Sequence, residues 1–233
     1  MMKDFSILLL NNNRSKSYLQ NFLRCGYVPR HAIVMGCEGA YSNSPSVIQT
    51  VKGYNCYFDS GISVFETLRL HGVPHTVMGH LDVNLPDVIK HAESIETQYI
   101  IYSGPAGVIL RDDLLNTGKT FVHAHLGLLP DFKGSTTMYY SMLIKNKIGC
   151  SVIDMNREID GGDILLMKSF QIPKSFVDFD MVLDPIIRTE SLLSWLKRDV
   201  DAIVPNGDGN TYFIIHPVLK HLARLKHIES SGM

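Results

Sequence analysis

Cysteine is scarce. Cys25, Cys37, Cys56 and Cys150 are the four in 233 residues, and no two of them form a C-x-x-C pair. Zinc ribbons, thioredoxin-type redox motifs and a dense disulfide framework are thereby disfavoured, and reduced, mostly buried thiols are expected. Long apolar runs are also missing. The first, Phe5 to Leu10, spans six residues, too short for the core of a signal peptide, and no other stretch approaches the length of a bilayer span. A soluble, cytoplasmic chain without a membrane partner is expected. There is no surplus of positive charge: 22 Lys and Arg against 23 Asp and Glu leave a formal net charge of −1. That balance does not attract a phosphate backbone, so no nucleic-acid partner is expected. Neither G-x-G-x-x-G nor the P-loop pattern occurs, so no dinucleotide or P-loop site is signalled. Internal repeats and low-complexity tracts are absent.

What is present is an alternation of short apolar runs and amphipathic stretches, with 45% apolar residues to build a core. Strands are expected at 5–10, 31–36, 75–79, 98–104, 120–125, 150–155 and 163–172, the first by its length and continuous hydrophobicity. Helices are expected from Tyr18 to a stop at Gly26, at 63–72, 85–94 and 112–118, and at 135–147, the last one capped at its start. Between 155 and 163, the adjacent Gly161 and Gly162 suit a turn that needs positive φ. The pattern reads as an α/β fold with a mostly parallel sheet and an antiparallel strand near the end. Residues 1–172 are expected to hold the main domain. Residues 173–233 are expected to form a mostly helical C-terminal extension, interrupted at Pro185, with a short extended run at 212–217 and a last helix at 218–228.

In an open α/β sheet, ligands bind at the carboxyl ends of the strands. Three stretches fall there. "NNNRSKS" (11–17) follows the first strand and opens a helix. Free backbone N–H groups with Asn13, Arg14 and Lys16 could hold a substrate phosphate, and the alternative is a capped helix with solvated basic residues. "YSGPAGVIL" (102–110) has two glycines, Gly104 and Gly107, that let the backbone approach a flat ligand, or it is an ordinary connection. The third is "VHAHLGLLPDFKGS" (122–135) taken with "NREIDGGD" (156–163). His123 and His125, two apart on a strand, point to one side. A neutral imidazole can take a proton near pH 7, a nearby carboxylate orients it, and Asp160 is the best-placed carboxylate. A second imidazole could donate to an oxyanion. The competing chemistry is a metal-dependent hydrolase built on His123 and His125, which needs further ligands that no spacing supplies.

"HAHLGLLPDFKG" followed by "GCSVIDMNREIDGGDILL" resembles the signature of the folate-dependent formyltransferases, whose usual pattern is N-x-H-x-[S/G]-L-L-P-x-x-x-G with an aspartate turn some 35 residues on. The match is clear from Tyr99 to Ile172 and faint from Ser6. The resemblance implies a Rossmann-like formyltransferase fold, 10-formyltetrahydrofolate as co-substrate and no metal. It places His125 on the family's catalytic histidine and Asp160 on its catalytic aspartate. His123 stands where the family has asparagine, in the role of oxyanion donor. The pterin is implied to lie against Gly104 and Gly107 to Leu110 (Val108 and Ile109 between) and against Arg157, Glu158, Ile159 and Asp160. The departure at His123 also leaves open a non-catalytic binding protein on the same scaffold. Among acceptors, the chain is short for a methionyl-tRNA enzyme's C-terminal barrel. The loop 11–17 lacks the glycines of the glycinamide ribonucleotide enzyme's phosphate loop. By elimination the expected acceptor is a small-molecule amino sugar, nucleotide-linked, in glycan or surface-polysaccharide synthesis. The tail is expected to serve as a possible homodimer element.

Overall fold

The structure, a computed structural model, describes residues 3–38, 45–174, 177–199 and 203–231, with backbone alone for 226–231. In chain order the elements are β1 (Phe5–Leu9), α1 (Asn13–Arg24), β2 (Ala32–Met35), β3 (Ile48–Thr50), β4 (Tyr57–Asp59), α2 (Val64–Leu70), β5 (His75–Met78), α3 (Pro86–Ser94), β6 (Tyr99–Ser103), α4 (Asp112–Leu115) and β7 (Thr120–His125). There follow β8 (Lys133–Gly134), α5 (Thr137–Lys145), β9 (Ile148–Asp154), β10 (Ile164–Phe170), a π-helical turn (Phe179–Leu183), α6 (Asp184–Leu196), β11 (Thr211–Tyr212) and α7 (Pro217–Ser231).

Seven strands form one sheet in the order β10-β9-β7-β6-β1-β2-β5. β1, β2, β5, β6 and β7 run parallel, and β9 lies antiparallel to both its neighbours. Both faces are covered, which is why the parallel strands read as unbroken apolar runs rather than alternating ones. Phe5, Ile7 and Leu9 of β1 face a core shared with α1 and α2, whereas Leu8 faces a second core with Val88 and Ala92 of α3 and Leu114 of α4. The chain leaves β1 toward β2 and β5, then returns to place β6 on the other flank of β1. The carboxyl ends of β1 and β6 therefore flank a topological switch point, where open α/β sheets form a ligand crevice.

The strands and helices expected from the apolar pattern are present within a few residues at each end, and the structure corrects several details. The β3–β4 hairpin lies in a stretch that carries no periodic signal. Its strands are three residues each, and it is pinned by Asp59, whose Oδ1 accepts from the amides of Val47 and Gly61. Helix α1 starts at Asn13, capped by the Asn12 side chain on the Ser15 amide, so Arg14 and Lys16 belong to its first turns. Helix α5 has no side-chain cap. Thr136 sits there in the left-handed region at φ 52°, and its hydroxyl accepts from the Ile215 amide instead. Pro185 opens α6 rather than interrupting it, at a position where a missing N–H costs nothing. Of the run 212–217 only Tyr212 is strand, in β11 together with Thr211 and paired parallel to β8.

The largest correction concerns the boundary expected at residue 172. Leu183, Ile186, Ile187, Leu192, Leu193 and Trp195 are buried in the same core as β1, β7 and β9. Helix α6 lies along α1, where the Ser17 and Thr189 hydroxyls meet at 2.6 Å, and Trp195 packs edge-on against Tyr99 of β6 at 5.3 Å. Glu190 accepts from the backbone amides of Asn55 and Cys56. Helix α6 completes one covering layer of the sheet and is not an appendage.

Candidate active site

Strand β7 puts Val122 and Ala124 into the core and turns His123 and His125 to the opposite side. His125, at the carboxyl end of the strand, is almost fully buried. Its Nδ1 lies 3.0 Å from Asp160 Oδ1 and its Nε2 lies 2.6 Å from the Phe132 carbonyl oxygen. Both ring nitrogens thus meet acceptors. His123 is half-buried, with Nδ1 3.4 Å from the Tyr102 carbonyl.

Asp160 reaches His125 from an unusual backbone. It occupies the left-handed region at φ 50°, and neither Gly161 nor Gly162 has a positive φ. The expectation that the glycines carry the turn is corrected in this way. Asp can enter that region because its short polar side chain bonds locally. The glycines are needed for space instead: a Cβ on Gly162 would overlap the Asp154 carbonyl, and one on Gly161 would crowd the Glu158 side chain. Asp160 Oδ2 accepts from the Gly134 amide at 2.8 Å. Burial pushes its carboxyl up, but the hydrogen bond and charge of His125, with the Gly134 amide, outweigh this and hold it well below the usual carboxylate range.

Two guanidinium groups lie beneath the histidines. Arg188 of α6 grips Asp184 with two bonds, at 2.7 and 3.0 Å, and also donates to the Ala124 carbonyl. Burial opposes its charge, and Asp184 overcomes that and holds its pKa above the ordinary value. Arg14 donates to the Ser103 hydroxyl and the Gly104 carbonyl, and burial pulls its pKa down. Burial first, then Arg188 and Arg14, hold the His123 imidazole far below its usual range and therefore neutral, with Asp160 pulling the other way.

These groups line one cavity of about 660 Å³, within the range of small-molecule sites. Of the residues singled out above, His123, His125, Asp160, Gly107, Val108, Ile109, Leu110, Glu158, Ile159, Asn13 and Arg14 share it. Three do not line it. Lys16 turns away to donate to the Ser60 carbonyl, because its place on α1 faces the β3–β4 hairpin. Arg157 projects into solvent and pairs with Asp112. Gly104 lies behind the wall, its carbonyl taken by Arg14 and the space at its Cα filled by the Tyr102 ring. Among the described residues no three His, Cys, Asp or Glu side chains converge as a metal-ion site would require.

The tail supplies what sequence reasoning missed. Asp180, Asp184, Arg188, Tyr212 and Phe213 also line the cavity. Among these, only the i,i+4 spacing of Asp184 and Arg188 is a signal the sequence itself carries, and it was not singled out above. Asn206 donates to the carbonyls of Asp160 (2.7 Å) and Gly162 (3.1 Å), clamping the aspartate turn from a loop with no apolar pattern. Asn206→Ala leaves both carbonyls without that donor. It is expected to cost about 1–3 kcal/mol of stability, read as a lowered urea midpoint at unchanged slope.

No protein-family model matches the chain. The methionyl-tRNA formyltransferase of Ehrlichia canis is 28% identical over 146 residues, covering 57% of this chain and 47% of that protein. A sugar N-formyltransferase from Shewanella superposes with a TM-score of 0.58 at 16% identity, over 96% of this chain and 87% of the other. The chain is similar in sequence to methionyl-tRNA formyltransferases over part of its length and has the fold of the formyltransferases. A second solved structure with this fold is the N-formyltransferase of Helicobacter canadensis in complex with folinic acid and dTDP-3-aminofucose. It matches 91% of this chain and 71% of its own length, with a TM-score of 0.58 at 13% identity. The chain spans about half the length of the curated formyltransferases it matches.

Proposed function

We propose that this protein is a folate-dependent N-formyltransferase. In this reading it moves the formyl group of 10-formyltetrahydrofolate to the amine of a small molecule, an amino sugar carried on a nucleotide, for glycan or surface-polysaccharide synthesis. The observation that carries the reading is the buried His125–Asp160 pair, 3.0 Å apart, set beside His123 in one cavity at the switch point of a formyltransferase fold. The residues present suit the co-substrate. Gly107–Leu110 and Met155–Asp160 offer two stretches of backbone with apolar Val108, Ile109, Leu110, Met155 and Ile159 between them, a setting for a flat heterocycle that needs backbone hydrogen bonds. When bound, the folate supplies an activated formyl carbon.

The chain's own groups divide the rest. Asp160 holds a negative charge beside both imidazoles and fixes the orientation of His125. Arg14 and Asn13 at the start of α1 face the polar body of the acceptor, as does Asp180, which is tied to Tyr139 and Lys220. An amino sugar is supported by the size of the cavity, by the net charge of −1 and by the dTDP-3-aminofucose held by the Helicobacter structure. No helix among the described residues is long and apolar enough to cross a membrane, in keeping with a cytoplasmic setting. The exposed Val218, Leu219 and Leu222 on α7 support a homodimer through the tail.

The test is incubation with 10-formyltetrahydrofolate and a panel of nucleotide-linked amino sugars, alongside methionyl initiator tRNA. The expected result is the mass gain of one formyl group on an amino sugar. Formylation of the tRNA alone would replace the acceptor, and no consumption of the folate with any amine would sink the reading.

A further inference from the structure

The two histidines differ in which nitrogen they leave free. His125 has none: Nδ1 faces Asp160 Oδ1, Nε2 faces the Phe132 carbonyl, and a Cβ added at Gly127 would come within 2.6 Å of that Nε2. His123 is the opposite case. A carbonyl oxygen can only accept, so the contact of His123 Nδ1 with the Tyr102 oxygen places the ring proton on Nδ1. In the neutral ring, Nε2 then carries a lone pair. Among the described residues that nitrogen has no hydrogen-bond partner, and it is not among the enclosed, unpartnered atoms, so it opens to the cavity. An atom of this kind cannot donate to an oxyanion, but it can receive a proton.

We propose that His123, through Nε2, takes the proton from the attacking amine, and that His125 is held as a fixed partner of Asp160. The proposal rests on the formyl-transfer reading above and departs from the roles implied by sequence resemblance. The amine nitrogen forms a bond to the formyl carbon of the N-formyl donor and passes one proton to His123 Nε2. The bond between the formyl carbon and the donor nitrogen then breaks, its electron pair stays on that nitrogen, and the same proton moves from Nε2 onto it. The products are a formamide and the deformylated donor, and His123 ends neutral as it began. A weakly basic imidazole suffices, because the amine nitrogen becomes strongly acidic as its bond to carbon forms.

Around the ring stand Arg14 from α1, Tyr102 from β6, His125 from β7, Asp160 from the turn after β9 and the Asp184-paired Arg188 from α6. Burial first, and then the two arginines, keep the resting ring neutral, and Asp160 offsets the charge it gains in passing.

Two measurements test this on the intact protein. In long-range ¹H–¹⁵N spectra of histidine-labelled protein at pH 7, His123 is expected as the neutral tautomer protonated on Nδ1. A proton on Nε2, or an imidazolium, overturns the proposal whether or not any turnover is seen. In the formylation assay, His123→Asn restores an amide donor but removes the base. Its kcat is expected to fall about 10²–10⁴-fold at unchanged acceptor KM, with added imidazole restoring part of the loss. A His123→Asn variant as active as the parent overturns the proposal and leaves the formyltransferase reading intact. Absence of formyl transfer by the parent itself overturns the reading, and the proposed step with it.

Discussion

Asp160→Asn is expected to lower kcat for the proposed formyl transfer by about 10²–10⁴-fold, the span of a lost acid–base partner, with the acceptor KM little changed. The physical reason lies in the atoms the carboxylate serves. Oδ1 accepts from His125 Nδ1 and Oδ2 from the Gly134 amide. An asparagine can keep only one of these as an acceptor. With its oxygen on Gly134, its NH₂ faces His125 Nδ1 and drives that ring into the other tautomer. It also removes the negative charge that lies closest to both imidazoles. His125→Ala should cost activity on the same scale, since it empties the ring that fills the space between Asp160 and Phe132. Steady-state kinetics of the two variants and of the double variant check the pairing: effects that fail to add identify one unit.

The same carboxyl also predicts a pH dependence of stability. Its folded-state pKa lies below its unfolded value, so it contributes stability at pH above about 4, the unfolded carboxylate value, and that contribution disappears as pH falls through the lower folded value. Urea unfolding from pH 7 to pH 3 should therefore show a smaller acid loss in Asp160→Asn than in the parent.

A chain ended at Ile172 is expected not to fold. It would keep every strand of the main sheet and lose α6, exposing the core positions now covered by Leu183, Ile186, Ile187, Leu192, Leu193 and Trp195. Each large side chain of this kind is worth about 1.5–3 kcal/mol when buried, and a domain's whole net stability is about 5–15 kcal/mol. Six of them together amount to about 9–18 kcal/mol, comparable to or larger than that whole reserve. The milder form of the experiment is Trp195→Ala, with an expected loss of about 3–5 kcal/mol from the cavity left against Tyr99. Thermal melts followed by near-ultraviolet circular dichroism check both. A cooperative transition in the truncated chain would show that residues 1–172 hold their own core, and a Trp195→Ala melt like the parent's would show that α6 adds little to it.

How much of this was legible beforehand follows the kind of signal involved. The strands β1, β2, β5, β6, β7, β9 and β10 are written in apolar runs, and helices α1 and α2 in apolar spacings, because burial on a sheet face or helix face is a repeating constraint. His123, His125 and Asp160 stood out because residue type and spacing already narrow the chemistry. Lys16 and Arg157 did not behave as expected. A lysine beside an arginine in a strand-to-helix connection looks like part of an anion site, but the turn of α1 points the one toward Ser60 and the other into the cavity. Arg157 sits next to Glu158, which lines the cavity, yet its long side chain reaches outward to Asp112. No local pattern distinguishes these outcomes.

By itself, then, the sequence determined the alternating α/β layout, the antiparallel strand near the end and the clustering of two histidines with one aspartate at strand ends. The layout and the paired histidines depend on residue type and short spacing, which the chain carries locally, and Asp160, 35 residues beyond His125, stood out by its place in a longer sequence signature. Only the tertiary structure decided that α6 closes the core, that Asn206 clamps the Asp160 turn and that Arg14 and Arg188 press on His123. It also decided which imidazole keeps a free nitrogen. Those outcomes depend on partners 21 residues away for His123 and Tyr102, and 46 for Asp160 and Asn206. A hydrogen bond is settled by which acceptor the fold brings within about 3 Å, and that distance is a property of the packed chain.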